Sequence, residues 1–309
     1  MNPIAMALLI TSLVALFCKS AYQRLRLLEA GSPVQGTRFD RWGERLGRVF
    51  ELAILQTRMR DYFWAGVAHM AIFFGFGVLL LRTLILWGRG FSPEFNLFVL
   101  GPDDPLGLPL GTLYGFLKDT FALLVLGGSA VFIYYRTINK QRRMTLSGEG
   151  LLILCIITTM MLADISYDGA SLVLNSRFDA ECVSGNSLCD SISTIIAPLG
   201  EPLDQIQWGF FPEPAGSAAA ALFDSLGLSS AALVWISHIG FWLHSSLVLI
   251  FLNLLPHSKH FHVITAIPNV FFKDLDPKGR LPFMGTGSCS PKAHWWSQAS
   301  TSRALSLLP

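Results

Sequence analysis

Charged residues are scarce in this sequence, and their scarcity excludes an ordinary soluble domain. Only 14% of the 309 residues are charged and 52% are hydrophobic, and the mean hydropathy is +0.49. Soluble domains carry roughly 25% charged residues. The sequence therefore predicts a protein that lies largely in a membrane. In that interpretation the net charge of +2 sums two opposite membrane faces and does not indicate nucleic-acid binding.

Several chemical motifs are also missing. The five cysteines form no Cys-x-x-Cys pair, so no iron–sulfur cluster is expected within this chain. A glycine-rich phosphate-binding loop and a Gly-x-Ser-x-Gly elbow are both absent from the sequence, which excludes soluble kinase and hydrolase chemistry. The apolar runs lack the two-residue alternation of membrane barrel strands.

Five long apolar runs are present. They lie at about residues 4–17, 64–87, 113–135, 151–174 and 226–255, and each has few charges, as membrane-spanning helices do. The first has neither a basic segment before it nor a small-residue cleavage site before Lys19, so we interpret it as a retained span and not a signal peptide. We predict an all-α integral membrane protein, a bundle of five transmembrane helices.

The cations are distributed unevenly among the loops. The loops after spans two and four contain one arginine each, Arg89 and Arg177, among many carboxylates. The segments after spans one, three and five contain most other cations, among them Lys19, Arg24, Arg26, Arg38, Arg41, Arg45, Arg48, Arg58, Arg60, Arg136, Lys140, Arg142, Arg143, Lys259, Lys273, Lys278 and Arg280. The positive-inside rule then predicts a multi-pass protein of the bacterial cytoplasmic (inner) membrane, with the N-terminus outside and the C-terminus cytoplasmic.

Two loops carry further signals. Cys182 and Cys189 fall in an outer loop, where an oxidising compartment permits a disulfide, although two unpaired thiols remain an alternative. Trp208, Phe210 and Phe211 of the same loop are expected at the membrane interface. Residues 23–60 form an inner loop in which apolar and basic residues recur at helical spacing. They predict either an amphipathic surface helix with its arginines among lipid head groups or a docking face for a cytoplasmic partner; the apolar set is Phe39, Trp42, Leu46, Val49, Phe50 and Ala53.

Histidines provide the main chemical signal. His244 and His262 are 18 residues apart, which on one continuous helix is five turns and about 27 Å, so the two imidazoles would share a face near opposite membrane surfaces. His69 lies in the first turns of span two, where Gly66, Gly75 and Gly77 would leave room for a flat macrocycle. Because imidazoles within hydrocarbon are functional candidates, we predict that His69 and His262 bind one haem b near the cytoplasmic face.

A second haem at His244 has no obvious second ligand. Span two offers Leu79 ten residues after His69. His238, six residues before His244, faces elsewhere and is either a core residue or a quinone contact. Met160 or Met161 would serve as thioether ligands or as fillers of the core. Arg82, Lys118 and Asp164 are ionisable residues in or beside spans that would contact quinone, carry protons or anchor the helices.

The last span resembles a known family. The residues Phe241-Trp242-Leu243-His244, Leu254-Leu255-Pro256 and His260-Phe261-His262 resemble the last helix of the gamma subunit of respiratory nitrate reductase, a five-span cytochrome b subunit. The resemblance implies haem ligation by His244 and His262 and, on span two, by His69. Leu79 occupies the position of that family's second histidine on span two.

The run from Lys259 to Phe272, with His260-Phe261-His262 and Pro268-Asn269, is similar to the membrane domain of iron–sulfur oxidoreductases related to heterodisulfide reductase. That likeness implies electron transfer between electron-transfer flavoprotein and quinone, and a ferredoxin-type domain after the spans. Here Gly285-Thr286-Gly287-Ser288-Cys289 follows Met284 and no cluster motif precedes Pro309. We expect a cytochrome b domain at residues 1–270 and a cytoplasmic tail at 271–309. A truncation is favoured over a frame change or a separate soluble polypeptide.

The histidines and the two resemblances together predict a haem b-containing membrane subunit or domain of a quinone-reactive oxidoreductase that would not be a complete enzyme alone. Its expected partners are membrane lipid, menaquinone or ubiquinone, and a cytoplasmic iron–sulfur protein or electron-transfer flavoprotein. A proton or metal-ion transporter and a haem-free membrane anchor are the alternatives.

Overall fold

A computed structural model of the protein describes residues 2–29, 38–101, 109–140, 147–183, 188–199 and 212–275. Within these residues the secondary structure is helical throughout and includes no strand. The α-helices are α1 (Pro3–Glu29), α2 (Trp42–Val49), α3 (Phe63–Arg89), α4 (Leu110–Thr137), α5 (Gly148–Val183), α6 (Cys189–Ile196), α7 (Pro214–Ser225), α8 (Ser230–Leu254) and α9 (His262–Phe271).

Five of these helices, α1, α3, α4, α5 and α8, are long and apolar enough to cross a membrane. A helix of 27 residues, the length of α3, extends about 40 Å, which exceeds the ~30 Å hydrocarbon core of a bilayer. The prediction of five spans is therefore confirmed, and each helix except α8 extends beyond the predicted run at both ends. The orientation of the termini stays a prediction.

The predicted start of span five at residue 226 is wrong. Leu226 follows the last turn of α7, and Gly227 adopts a left-handed φ of 64° that ends that helix. Ser229 then begins α8 as its N-cap, because its side-chain oxygen accepts a hydrogen bond from the Ala232 N–H. The end of α7, the capped turn and α8 are all apolar, so a prediction from hydropathy alone does not separate the two helices.

The bundle is organised around α5, which packs against α4, α7 and α8, while α3 packs on α4 and α1 on α8. Small residues permit the closest approaches. A Cβ on Gly240 of α8 would lie 2.6 Å from the Ala163 carbonyl oxygen of α5, and a Cβ on Gly128 of α4 would lie 2.8 Å from the Ala68 oxygen of α3. Such contacts are typical of membrane helices, whose association depends on close packing. Large apolar side chains such as Trp235 and Leu80 remain exposed on the bundle surface, as a surface facing lipid requires.

The two ends of the bundle differ. At one end, here named the disulfide end, α5 finishes, α6 and α7 cover the bundle, and a disulfide joins Cys182 to Cys189. Ile192, Ile195 and Ile196 of α6 pack in an apolar core with α5, α7 and α8. The other end, the histidine end, contains the start of α3, the end of α8, and the helices α2 and α9.

Helices α2 and α9 pack against each other at the histidine end. Trp42 contacts Phe271 and Phe39 contacts Phe272 through their rings. The predicted helix in the inner loop is present at Trp42–Val49 and continues as a π-helical turn at Phe50–Ile54. Its placement on a membrane surface stays a prediction.

The arginines before and within α2 bind protein groups. Arg45 is 3% exposed, and it donates hydrogen bonds to the Asp40 carboxylate at 2.8 Å and to the Phe271 carbonyl at 2.8 Å. The hydrogen bond from Arg45 lowers the pKa of Asp40 below its usual value. Arg38 donates to the Phe272 carbonyl. These two arginines cap the carbonyls at the C-terminal end of α9, and the expected contact of the inner-loop arginines with lipid head groups stays a prediction.

The chain divides into a compact unit at Met1–Phe272 and a second unit at Lys273–Pro309. The domain boundary expected after residue 270 falls in the last turn of α9, which ends at Phe271. Trp208, Phe210, Phe211, Cys289 and His294 lie outside the described residues, as do most residues of the expected tail.

Candidate functional site

His69 and His262 come together at the histidine end. His69 is half-buried in the second turn of α3, and His262 is the exposed first residue of α9. The centroids of the two imidazole rings are 6.5 Å apart and their planes are inclined by 26°. The two histidines expected to form a pair are 193 positions apart along the chain, and the structure places their side chains next to each other.

Hydrogen bonds orient both imidazoles. His69 Nδ1 lies 2.9 Å from Gln56 Oε1, and His262 Nδ1 lies 3.2 Å from the Lys259 carbonyl oxygen. Both oxygens only accept, so each Nδ1 carries a proton and each Nε2 has a free lone pair. Among the described residues, neither Nε2 has a hydrogen-bond partner. A histidine that donates through one ring nitrogen and binds a metal through the other is the usual arrangement of metal-ligating histidines.

The spacing of the pair fits a metal centre with two axial imidazoles. Two imidazoles bound to one metal from opposite sides, each at about 2 Å through a nitrogen, have ring centroids about 6 to 6.5 Å apart. Among the described residues there is no group of three or more His, Cys, Asp or Glu side chains that could hold a metal ion. Haem iron requires only axial ligands from the protein, because the macrocycle supplies the other four. A two-histidine site therefore suits haem better than it suits a bare ion.

Gln56 was missed by sequence reasoning. It is 6% exposed and adopts a left-handed φ of 47°, which is uncommon for a residue other than glycine. The conformation places its side chain beside His69, thirteen residues further along the chain. A glutamine in a polar loop carries no sequence signal for such a role.

The continuous helix expected from His244 to His262 is wrong. Helix α8 ends at Leu254, and short 3-10 turns at Leu255–His257 and Lys259–Phe261 precede α9. Pro256 cannot donate an i to i−4 hydrogen bond, and Ser258 is extended at φ −114° and ψ 166°. The Ser258 hydroxyl accepts from the His260 N–H and so starts the next turn. The expected separation of five helical turns between His244 and His262 is therefore not observed. His262 nevertheless lies beside His69.

Two of the three glycines near His69 serve helix packing. A Cβ on Gly66 would lie 2.3 Å from the Met59 carbonyl oxygen, and a Cβ on Gly75 would lie 2.3 Å from a methyl of Val125. Only Gly77 has open space beside it, with no atom within 4 Å. The room expected beside Gly66 and Gly75 is thus filled by protein atoms.

His244 occupies a different environment from His69. It is 1% exposed, and its ring nitrogens lie 3.3 Å from the Met160 carbonyl and 3.4 Å from the Thr83 hydroxyl. The structure brings no second histidine to it among the described residues, and Met160 contributes its backbone oxygen. His238 is half-buried on α8. The structure brings neither His244 nor His238 to the His69–His262 pair.

A pocket of about 210 Å³ adjoins His262 at the histidine end. It is lined by Arg136, Ser147, Glu149, Gly150, Lys259, His260 and His262. Glu149 accepts a hydrogen bond from the Lys259 N–H and so links the start of α5 to the turn before α9. Burial lowers the pKa of His260, and the neighbouring His262 lowers it further. The side chains of Arg136 and Lys259 thus place two positive charges in the pocket beside His262, a candidate haem ligand.

A second set of polar residues lies deep in the bundle, toward the disulfide end. Arg82 and Lys118 are each less than 5% exposed and form ion pairs with carboxylates from neighbouring elements. Arg82, Lys118 and Asp164 stand out in the sequence as charges within spans. Asp168 and Asp119, equally buried, have the same signal but were not singled out.

Comparisons with known proteins give distant relatives. The chain is 25% identical over 269 residues to the probable iron-sulfur-binding oxidoreductase FadF of Bacillus subtilis (strain 168), covering 87% of this chain and 32% of that protein. It is 25% identical over 242 residues to EtfAB:quinone oxidoreductase of Syntrophomonas wolfei subsp. wolfei, covering 78% of this chain and 29% of that protein. The chain spans about a third of the length of these curated relatives. No protein-family model matches it, and no solved structure does.

Proposed function

We propose that this chain is the haem b-binding membrane part of an oxidoreductase that exchanges electrons between a cytoplasmic iron–sulfur protein or electron-transfer flavoprotein and membrane quinone. The observation that carries the proposal is the His69–His262 pair, with ring centroids 6.5 Å apart. The names of the two relatives, one an iron-sulfur-binding oxidoreductase and one a quinone oxidoreductase, support the electron-transfer class.

In this proposal the residues of the chain have separate roles. His69 and His262 would hold the haem through Nε2, and Gln56 and the Lys259 carbonyl fix the ring orientations and would increase the donor strength of the imidazoles. Arg136 and Lys259 supply positive charge beside His262, which offsets the carboxylates of a bound haem. A haem held there would supply reversible one-electron chemistry.

The proposed location of the site follows from the charge distribution. By the positive-inside rule the histidine end faces the cytoplasm, where a soluble partner is accessible. Quinone would reach the protein from the lipid, along the exposed apolar faces of the helices. The proposal assigns one haem, because His262 belongs to both histidine ring pairs of the described residues, with His69 and with its near neighbour His260, and no second histidine reaches His244.

The test is the reduced-minus-oxidised absorption spectrum of the purified full chain in detergent. We expect a haem b α-band from the wild-type protein, together with about one haem per chain by pyridine haemochrome assay. His69→Ala and His262→Ala should each lose the band, because each removes one of the two imidazoles that would hold the haem.

The matched control is His257→Ala, since His257 is exposed and lies five residues before His262, outside the His69–His262 ring pair. It should retain the wild-type spectrum. A colourless wild-type protein, or a band that persists in both His69→Ala and His262→Ala, would refute the proposal and favour a haem-free anchor.

A further inference from the structure

Six charged side chains from four elements meet inside the bundle, and we name them the buried ion cluster: Arg82, Lys118, Asp119, Asp164, Asp168 and Glu213. Arg82 pairs with Asp164 at 2.8 Å and also with Asp168. Lys118 Nζ lies 2.7 Å from Asp168 and 3.1 Å from Glu213. The contacts form one connected network from α3 through α5 and α4 to the residue before α7.

The cluster is buried at a depth where charge is costly. Five of its side chains are at most 8% exposed, and only that of Glu213 reaches 22%. Those five also lie within helices long enough to span a membrane. Ionisable residues at such positions must be paired, and they mark proton or ion pathways in membrane proteins.

The pairing is incomplete, because four carboxyl groups face two cations in the cluster. Arg89, two turns further along α3, adds one cation but is hydrogen-bonded to Asn96 at 2.6 Å. His244 Nδ1 lies 4.0 Å from Asp164 and 3.3 Å from the Met160 carbonyl oxygen. Even with Arg89 counted, the four carboxyl groups of the cluster outnumber its arginine and lysine side chains by one. An unpaired carboxylate at this depth is expected to bind a proton.

A separate observation is a buried hydroxyl group beside the cluster. The hydroxyl of Tyr167, a residue that is 1% exposed, has no hydrogen-bond partner in the part of the chain that the structure describes. Its ring lies beneath the Arg82 guanidinium, 5.5 Å from centroid to Cζ. A buried hydroxyl without a partner is rare in folded proteins, and here it lies against the cluster.

Asp119 is the carboxyl with the weakest ionic pairing. Lys118 lies 3.4 Å from Asp119 Oδ1, farther than from Asp168 or Glu213. Asp119 Oδ2 accepts the Gly216 N–H at 2.8 Å, so a single cation at 3.4 Å is the ionic partner of this buried carboxyl among the described residues. A Cβ built on Gly216 lies 3.6 Å from both Asp119 Oδ2 and Glu213 Oε2. The buried carboxyl of Asp119 and the partly exposed carboxyl of Glu213 therefore both lie beside Gly216.

We propose that the buried ion cluster is a proton-binding site in which Asp119 holds the proton and Glu213 exchanges it with the surface at the disulfide end. Its use in catalysis rests on the proposed function. Reduction of a quinone to a quinol takes up two protons with two electrons, and oxidation releases them. Asp119 would give or take one of these protons, and Glu213 would restore its protonation state.

The first test is the infrared spectrum of the purified full chain in detergent. We expect the C=O stretch of a buried protonated carboxylic acid in the wild-type protein and its loss in Asp119→Asn, which keeps the shape of the protonated group. The control is Asp224→Asn, which removes a carboxylate paired with Arg177 at the surface and should leave the band unchanged. A band that is absent from the wild type, or that persists in Asp119→Asn, would overturn the proposal.

The second test measures exchange. After mixing into deuterium oxide the C=O band should shift, and Glu213→Gln should slow that shift at least tenfold. The control is Glu94→Gln, an exposed carboxyl outside the cluster, which should exchange at the wild-type rate. Equal rates in all three proteins would exclude Glu213 as the entry point.

These infrared measurements need neither haem nor quinone, so the two proposals fail separately. A colourless protein that shows the Asp119 band would remove the redox assignment and keep the proton site. A haem-containing protein without the band would do the reverse.

Discussion

The hydrogen bond from His69 to Gln56 is the contact that most directly adjusts the candidate haem site. Gln56→Leu removes the acceptor for His69 Nδ1–H at nearly the same size. Loss of such a partner typically weakens metal binding by about 10- to 100-fold. We expect a matching fall in haem affinity, measured by haem transfer to apomyoglobin.

Gln56→Glu is the matched variant, because it keeps an oxygen at the same position and adds negative charge. It should retain haem and lower the midpoint potential, since a more anionic imidazole favours the ferric state. Equal haem affinity in the Leu and Glu variants would show that the Gln56 contact does not act on the site.

Two glycines of α3, Gly66 and Gly77, test how closely this helix packs against the segment that carries Gln56. Gly66→Ala places a Cβ against the Met59 carbonyl, and the Gln56-containing segment must move away from α3. We expect this variant to lose haem. Gly77→Ala meets no atom within 4 Å, so it should retain haem and gain up to about 1 kcal/mol of helix stability. Haem content and thermal melting of both variants measure the difference, and equal behaviour would contradict the close contact.

The contact between α2 and α9 depends on Arg45. Arg45→Ala removes a buried side chain and its hydrogen bond to the Phe271 carbonyl, and one such hydrogen bond typically contributes about 0.5–1.5 kcal/mol. The control, Arg48→Ala, removes an exposed pair with Glu51, and such pairs contribute about 0–1 kcal/mol. Limited proteolysis near residue 45 should therefore accelerate in Arg45→Ala alone. The same rate in both variants would show that Arg45 does not hold α9.

The sequence predicted the membrane-spanning helices more completely than it predicted the contacts between side chains. The five spans follow from composition, because apolar side chains in lipid leave a direct hydropathy signal. The His69–His262 pairing follows from depth, since both residues lie near one end of a span. Gln56 and the break at Pro256–Ser258 were not predicted, because each depends on backbone geometry in a polar segment. Asp119 and Glu213 become neighbours only when α4 and α7 pack together.

Membrane orientation is a property of the whole molecule and is tested by cysteine accessibility. In a background with Cys18, Cys155 and Cys289 replaced by serine, Asp224→Cys should react with a membrane-impermeant maleimide in intact cells. Lys259→Cys, at the opposite end of α8, should react only after lysis. The reverse pattern would invert the assignment, and with it the side from which a soluble partner and the proton site are reached.

The interruption of the helix between α8 and α9 has a consequence for the candidate haem site. The imidazole at position 262 is carried by a peripheral helix, outside the five long helices, and Arg38 and Arg45 hold the carbonyls at the C-terminal end of that helix. Substitutions in that outer layer should change the electron paramagnetic resonance g-values of a low-spin ferric centre while the spans stay unaltered. If the proposed haem is bound there, changes in this outer layer would adjust its redox potential without repacking the lipid-embedded core.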